Sequence, residues 1–258
     1  MTFESVALPQ ALTFALVFCR MAGLATSSPF PGEQVPVEQR AGFAIVLAFA
    51  ALPVAPLYDG APDLTLVLAA LSEVFVGLAA GAVLRVLLSA ADIAGGIIAQ
   101  SAGLGAASLF NPALGAQDTT VARILSLLAM LLVLAAGVHR TVLAYVLESV
   151  RVMPVGSHVR IDAAFATFAP LAAGCVSFGI RLALPAMAVS VVLQVALAMV
   201  SRAAPSLQLF NVGFAILVLG VLTTVATSVD QLGAALLEHT SQVGLTLDRL
   251  FTDLATAR

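Results

Sequence analysis

Long apolar runs, separated by short polar or proline-rich stretches, make up most of the chain. Six such runs lie at residues 5–19, 41–57, 64–91, 121–138, 163–199 and 207–229. A membrane-spanning helix needs about 20 predominantly apolar residues, so most of these runs approach or exceed the length of one crossing. The pattern predicts an all-α, polytopic membrane-type protein of helical hairpins, with about six apolar helical segments, some of them broken or bent.

Two stretches depart from a simple series of spans. Residues 20–40, bounded by arginines and rich in proline, predict a polar connection between the first two runs. The run at residues 163–199 is too long for a single crossing of about 20 residues. It contains Gly174, Arg181 and Pro185, so we expect a bend or a helical hairpin there.

The segment at residues 100–118 differs from its apolar neighbours. Its glycines loosen the backbone, and Asn111-Pro112 marks a turn. Side chains such as Leu109 and Phe110 nevertheless make it too apolar for a solvated linker. Irregular backbone among membrane segments is tolerated only where it is buried in protein or lines a cavity. We expect a constriction or plug inside an assembly; the alternative is a packed re-entrant loop in which Phe110 belongs to the core.

The run at residues 64–91 carries two charges and a face of small residues. Glu73, Gly77 and Gly81 are spaced by four, so a helix places them on one face and allows a second helix to approach closely. Charges such as Glu73 and Arg85 usually face a bundle interior or water. They are interpreted as a structural ion pair or a snorkelling arginine, because a proton relay needs more intramembrane acids than the chain contains.

The C-terminal segment, residues 230–258, has the pattern of an amphipathic helix. Two apolar rows repeat every seven residues, and polar residues occupy the opposite face. The rows are Leu236, Val243 and Leu250, and Thr240, Leu247 and Leu254; the polar face carries Glu238, Gln242, Asp248 and Asp253. We expect this helix to dock on protein.

Composition supports a membrane-type protein and excludes several functions. The chain of 258 residues is 61% hydrophobic and 10% charged, against about 25% charged in soluble domains. A net charge of -3 provides no basic patch for nucleic acid. Tryptophan is absent and only two tyrosines occur, so the aromatic belt of lipid-facing proteins is missing. This indicates that much of the apolar surface contacts protein.

The sequence contains no pattern for catalysis or for a cofactor. Cys19 and Cys175 lie in apolar runs and are interpreted as small hydrophobic residues, although a disulfide between them stays open. The histidines, His139, His158 and His239, have no ligands at metal-binding spacing. Nucleophile–base pairs and phosphate-binding loops are also missing. We therefore predict no catalytic residue, no metal and no cofactor.

Short motifs recur along the chain in a specific order. They are Arg20 with Pro29-Phe30, Glu73-x-x-x-Gly77-x-x-x-Gly81, Gln100-x-x-Gly103 before Phe110-Asn111-Pro112, Gly137-x-His139, Pro154-x-Gly156, Ala183-Leu184-Pro185, and Arg202-x-x-Pro205-x-x-x-x-Phe210-x-x-Gly213. With this order and spacing the chain resembles the FliR/SctT family, the R (or T) subunit of the flagellar and type III secretion export gate. The flagellar branch matches better than the injectisome branch.

The resemblance implies partners, a location and roles for particular residues. In that family the subunit joins P-type and Q-type subunits (FliP-like and FliQ-like) and an FlhB-like switch subunit in the flagellar basal body of the bacterial inner membrane, where unfolded proteins are exported. The implied plug residues are Gly103, Leu104, Leu109, Phe110, Asn111 and Pro112. The implied subunit-packing residues are Glu73, Gly77, Gly81, Arg85, Arg181, Pro185, Arg202, Pro205 and Phe210.

On this view the chain is one export-gate domain. Residues 1–99 form N-terminal helices, 100–118 the plug-like loop, 119–229 helical hairpins, and 230–258 the amphipathic tail. The alternative is a secondary membrane transporter with a re-entrant loop, which should show internal repeats and a polar site at the membrane midplane. No clear repeat is found.

Overall fold

The computed structural model describes residues 3–30, 35–58, 60, 63–103, 120–157, 159–203 and 209–255. Within these residues the chain forms nine α-helices and no β-strand, which confirms the all-α prediction. The predicted site residues outside the described range are Leu104, Leu109, Phe110, Asn111, Pro112 and Pro205. Phe210 lies in a described helix, but its side chain is outside the description.

The helices follow one another with short connections. In chain order they are α1 (Phe3–Ser27), α2 (Val37–Ala51), α3 (Leu64–Ser101), α4 (Thr120–Ala135), α5 (Val138–Val152), α6 (Ile161–Ala203), α7 (Leu209–Thr227), α8 (Val229–Ser241) and α9 (Val243–Ala255). The C-terminal amphipathic segment is thus two helices, α8 and α9, rather than the single helix that its pattern predicts.

Three described helices are long and apolar enough to cross a membrane. Their candidate spans are Leu8–Ser27 in α1, Leu64–Ser101 in α3 and Ala164–Arg202 in α6. Two further sets of shorter helices, α4 with α5 and α7 with α8 and α9, have a similar apolar character. If each set counts as one interrupted span, the described residues contain five.

Helix α1 is longer than the sequence pattern predicts. The pattern places a polar connection at residues 20–40, but α1 continues to Ser27 and α2 begins at Val37. Arg20 has 0% relative exposure because the carboxylate of Glu73 lies against its guanidinium. The prediction was wrong at this point, since an arginine that finds a carboxylate partner does not end an apolar helix.

Helix α6 is continuous from Ile161 to Ala203, so the hairpin that was one of the two expectations for residues 163–199 is wrong. Pro185 removes one backbone donor from the helix. The turn around it stays helical because neighbouring side chains pack firmly: Ala183 and Ala186 have 0% and 3% relative exposure. Pro185 therefore removes one hydrogen bond from α6 but does not end the helix.

The chain divides into two compact units, each assembled from separate stretches of sequence. Unit 1 combines Met1–Leu87, Gly137–Ala172 and Thr240–Arg258. In unit 1, α1 packs against α2, and α5 packs against both α2 and α9. Unit 2 combines Leu88–Ala136 and Ala173–His239. The buried core of unit 2 is rich in alanine and leucine: Ala91, Ala94, Ile98, Ala99, Ala102, Ala129, Leu182, Ala183, Ala186, Val221, Leu232 and Leu236.

The apolar rows predicted for the C-terminal segment are buried, which confirms its amphipathic pattern. The buried members are Leu236, Thr240, Val243, Leu247, Leu250 and Leu254. In α9 the buried face also includes Phe251, whereas Asp248 is exposed. This face of α9 packs within the same chain, against α5.

Candidate functional site

Helices α1 and α3 come into close contact along the predicted glycine face of α3. A β-carbon at Gly77 would overlap the backbone carbonyl oxygen of Arg20. At Gly81 it would overlap the hydroxyl oxygen of Ser27. Glycine at both positions allows the two backbones to approach this closely. The approach places the side chains of Arg20 and Glu73 next to each other.

Arg20 and Glu73 form an ion pair inside unit 1. The Nε of Arg20 donates to Oε2 of Glu73 at 2.6 Å, and both side chains have 0% relative exposure. Charge-assisted hydrogen bonds of this kind are about twice as strong as neutral ones. Removing two charges from water is costly, however, and the pair offsets that cost only if its other donors and acceptors are also satisfied.

Residues from α5 and the following loop satisfy the remaining polar atoms. The Nη1 of Arg20 donates to Oγ of Ser149 at 3.1 Å, and Nη2 donates to the carbonyl oxygen of Met153 at 2.9 Å. The other carboxylate oxygen of Glu73, Oε1, accepts the backbone N–H of Gly156 at 2.9 Å. Every guanidinium nitrogen and both carboxylate oxygens therefore have a partner.

Gly156 can donate to Glu73 because of its backbone conformation and the space around it. Its φ of +82° lies in the left-handed region, and a β-carbon there would lie 2.5 Å from Cε2 of Tyr58. Tyr58 is held in turn, since its backbone N–H donates to Oγ1 of Thr13 at 2.9 Å. The Pro154-x-Gly156 motif thus provides a tight loop whose N–H completes the buried network.

This network positions helices rather than reacting groups. Ser149 Oγ donates to the carbonyl oxygen of Val146 at 2.6 Å, and both charges are engaged with each other. In the ranges that the structure describes, no cluster of three or more His, Cys, Asp or Glu side chains is arranged to hold a metal ion. The site is a buried, hydrogen-bonded ion pair that links α1, α3 and the loop that follows α5.

A cavity in unit 1 is lined by residues from two further sequence motifs. It has a volume of about 170 Å³ and is lined mainly by apolar side chains, together with Phe30 and His139. The rings of Phe30 and His139 have centroids 5.9 Å apart. Nδ1 of His139 is buried and finds no hydrogen-bond partner among the described residues. Gly137 precedes α5 with a φ of +72°, which starts the helix that carries His139.

The predicted plug segment, residues 100–118, overlaps the end of α3 at Gln100 and Ser101, and Gly103 is the predicted plug residue that the structure describes. Gly103 adopts a φ of +77°, and its N–H donates to the carbonyl oxygen of Gln100 at 3.0 Å, which ends α3. A β-carbon at Gly103 would lie 3.6 Å from the ring of Phe214 and 3.7 Å from Leu217. Gly103 therefore lies close to α7.

The predicted subunit-packing residues whose side chains the structure describes fall into two groups. Glu73, Gly77 and Gly81 are buried and contact α1 or the loop after α5 of the same chain. The exposed members are Arg85, Arg181, Pro185 and Arg202. For both groups, contact with other subunits remains a prediction.

Sequence reasoning missed most of the buried network. One signal was available, since an arginine and a glutamate that both lie in apolar runs should seek each other, and this could have paired Arg20 with Glu73. Nothing in the sequence predicts that Ser149 and the carbonyl of Met153 accept hydrogen bonds from Arg20. The predicted cysteine and histidine roles also missed one contact: both cysteines are free, and Sγ of Cys175 lies 3.6 Å from Nε2 of His239.

Comparison of the sequence with known proteins identifies the family of this chain. The sequence profile of the family described as "Bacterial export proteins, family 1" matches residues 11–243. The chain belongs to this family. The match confirms the resemblance drawn from the motifs, and it covers both units of the export protein, from α1 to the turn between α8 and α9.

Individual relatives of the chain are flagellar biosynthetic proteins. The export protein is 31% identical to the flagellar biosynthetic protein FliR of Caulobacter vibrioides over 86% of its own length and 90% of that protein. It is 30% identical to FliR of Escherichia coli K12, with 76% of each chain covered. It is 27% identical to FliR of Bacillus subtilis, over 78% of its own length and 79% of that protein. The chain is therefore a membrane-type component of flagellar protein export.

Proposed function

We propose that this chain forms, with P-type and Q-type subunits and an FlhB-like switch subunit, the closed entry pore for flagellar protein export. The pore lies in the bacterial inner membrane, within the basal body, and passes unfolded flagellar proteins. The chain itself is not an enzyme: it supplies walls and a plug, while the energy for export comes from other components or from the membrane potential.

The observation that carries this proposal is the exposed apolar surface of α6. Its candidate span, Ala164–Arg202, has 39 residues, but only 17% of its most apolar stretch is buried in the chain. A bilayer crossing needs about 20 residues, so lipid covers only about half of this length. The remaining apolar surface requires protein partners, as expected for a subunit of a larger assembly.

The plug role is assigned to the segment at residues 100–118, which runs from the end of α3 towards α4. A secretion gate has to hold back ions and water at rest and still admit a polypeptide. A large apolar side chain closes a narrow pore by excluding water, and small residues allow the loop to move at low cost. In this proposal Phe110 forms the seal, and Gly103 lies at the point where α3 ends.

The seal is tested with Phe110→Ala in the assembled complex, reconstituted in a planar bilayer. We expect a higher resting ion conductance with an unchanged yield of complex, because the truncated side chain no longer excludes water. Leu245→Ala is the control, since Leu245 is a large apolar residue that is 66% exposed on α9, outside the α6 surface assigned to partners. Equal conductance of the Phe110→Ala and wild-type complexes would contradict the seal.

Membership of the gate is tested separately by co-expression with P-type and Q-type subunits and native mass spectrometry of the detergent extract. We expect one large complex that contains this chain. A monomer or homodimer that ignores both partners would favour the alternative, a secondary transporter with a re-entrant loop.

A further inference from the structure

Helix α6 presents two different faces within unit 2. One face is buried and includes Cys175, Gly179, Leu182, Ala183, Ala186 and Ser190. It packs closely on α3: a β-carbon at Gly179 would lie 2.8 Å from the carbonyl oxygen of Ala90. The other face is exposed and continuous at helical spacing: Ser177, Ile180, Arg181, Leu184, Pro185, Ala188, Val191, Val192 and Val195. We call these residues the outer face of α6.

Arg181 is the charged residue of the outer face. It is exposed, and it makes no hydrogen bond or ion pair with any residue that the structure describes. It lies near the middle of the apolar stretch Ala164–Arg202. Where the hydrocarbon core of a bilayer surrounds this position, an exposed guanidinium without a charged or polar partner is costly. An uncompensated guanidinium at this level is therefore unfavourable in lipid.

Pro185 adds a second polar group at the same level. A proline has no N–H, so it cannot donate the hydrogen bond that an α-helix directs from residue 185 to the carbonyl of residue 181. The carbonyl of Arg181 thus loses its usual α-helical donor, next to a guanidinium that has no partner among the described residues. The surrounding outer face remains apolar, with Ile180 and Leu184 on either side.

We propose that the outer face of α6 binds an apolar helix of another export-gate subunit, and that this helix carries an aspartate or glutamate facing Arg181. The inference rests on the proposed function and names the chemistry of the partner. A carboxylate matches the guanidinium in charge and in its two-pronged geometry, and in an apolar environment such pairing is how membrane-embedded charges are normally compensated. Small residues such as Ser177 and Ala188 allow the partner helix to approach.

The experiment uses the complete chain co-expressed with P-type and Q-type subunits, and measures the yield of intact complex by native mass spectrometry. We expect Arg181→Glu to lower that yield by about tenfold or more, because two carboxylates then face each other across a desolvated contact. Arg249→Glu is the matched control: Arg249 is exposed on α9, and we expect its yield to equal that of the wild type.

The decisive step is a charge exchange in the Arg181→Glu background. Each aspartate and glutamate within the apolar segments of the partner subunits is replaced in turn by arginine. We expect one of these changes to restore the complex. Wild-type yield of Arg181→Glu, or loss of yield that no exchange restores, would overturn the proposal; a yield that instead follows added anionic lipid would assign Arg181 to a lipid phosphate.

Two controls separate this inference from other failures. The isolated Arg181→Glu chain should keep the helical content and melting temperature of the wild type in detergent, because Arg181 is exposed and makes no polar contact within the described chain. If the wild-type chain joins no complex at all, the proposed function fails. If the wild type assembles and Arg181→Glu does so equally well, only the carboxylate contact fails.

Discussion

At the scale of single residues, the buried ion pair of Arg20 and Glu73 links α1 and α3 inside unit 1. A buried ion pair is not stabilising by itself, because desolvation can cancel the attraction. Here the surrounding donors and acceptors complete the hydrogen bonding of both groups. Losing one of these contacts would leave a buried polar group without a partner, so the pair favours the observed arrangement of α1, α3 and the loop after α5.

This leads to a prediction for single and double substitutions of the pair. Arg20→Met or Glu73→Met alone should lower the free energy of unfolding by about 3–5 kcal/mol, because each leaves an uncompensated buried charge. The double variant should recover part of that loss. The measurement is chemical unfolding of the purified chain in detergent, followed by far-UV circular dichroism.

An exposed pair in the same unit provides the control. Arg151 and Glu148 are 3.4 Å apart and more than half exposed, and exposed pairs are worth about 0–1 kcal/mol. Glu148→Gln should therefore change stability little. If the two single Met variants of the buried pair are as mild as Glu148→Gln, the buried network does not organise unit 1.

At the scale of helices, the glycine face of α3 sets the distance to α1. Gly77→Ala should destabilise the chain by about 1–3 kcal/mol, the usual range for overpacking, because the added β-carbon overlaps the carbonyl of Arg20 and forces α1 away. Gly96→Ala, in the same helix, is the matched control. Apart from the helix's own backbone, no described atom lies within 4 Å of a β-carbon there, so this change should stabilise by up to about 1 kcal/mol through helix propensity.

Opposite signs for the two glycine variants are the informative result, measured as shifts in the midpoint of unfolding. Loss of stability in both variants would mean that the effect of Gly77→Ala does not come from its contact with α1. A gain in both would show that α1 moves away from α3 without cost.

The helices also show how far sequence reasoning extends. The spacing of Gly77 and Gly81, and the apolar rows of α9, predicted which faces are buried because helical periodicity alone determines them. The length of α1 and the continuity of α6 were not predictable in the same way. Each depends on a compensation from elsewhere in the fold: Glu73 neutralises Arg20, and packing in unit 2 holds the turn that contains Pro185.

For the candidate site the limit is similar. Glu73 was identified from the sequence because a glutamate in an apolar run needs a reason to be there. Its partners Ser149 and Gly156 come from parts of the chain that only the tertiary fold brings close. A backbone N–H or carbonyl carries no residue-type signal, so such contacts are visible only in three dimensions.

At the scale of the whole molecule, unit 1 is built from three separate stretches of the chain, and the last of them supplies α9. Six residues of α9 are buried: Val243, Gly244, Leu247, Leu250, Phe251 and Leu254. Gly244 lies under the ring of Tyr145, where a β-carbon would come within 3.2 Å of the ring. Unit 1 is thus completed only when the C-terminal end of the chain is present, whereas unit 2 contains no part of α9.

Truncation after Gln242 tests this dependence, because the chain contains a reporter confined to unit 1. Tryptophan is absent and the two tyrosines, Tyr58 and Tyr145, both lie in unit 1. Tyrosine fluorescence in detergent should therefore show an early unfolding transition in the truncated chain, since buried large apolar side chains contribute about 1.5–3 kcal/mol each. Far-UV circular dichroism, which reports both units, should keep a later transition from unit 2. Truncation after Ala255 is the control: it removes none of the buried side chains of α9 and should leave the tyrosine transition unchanged. An unchanged tyrosine transition after truncation at Gln242 would mean that unit 1 is complete without α9.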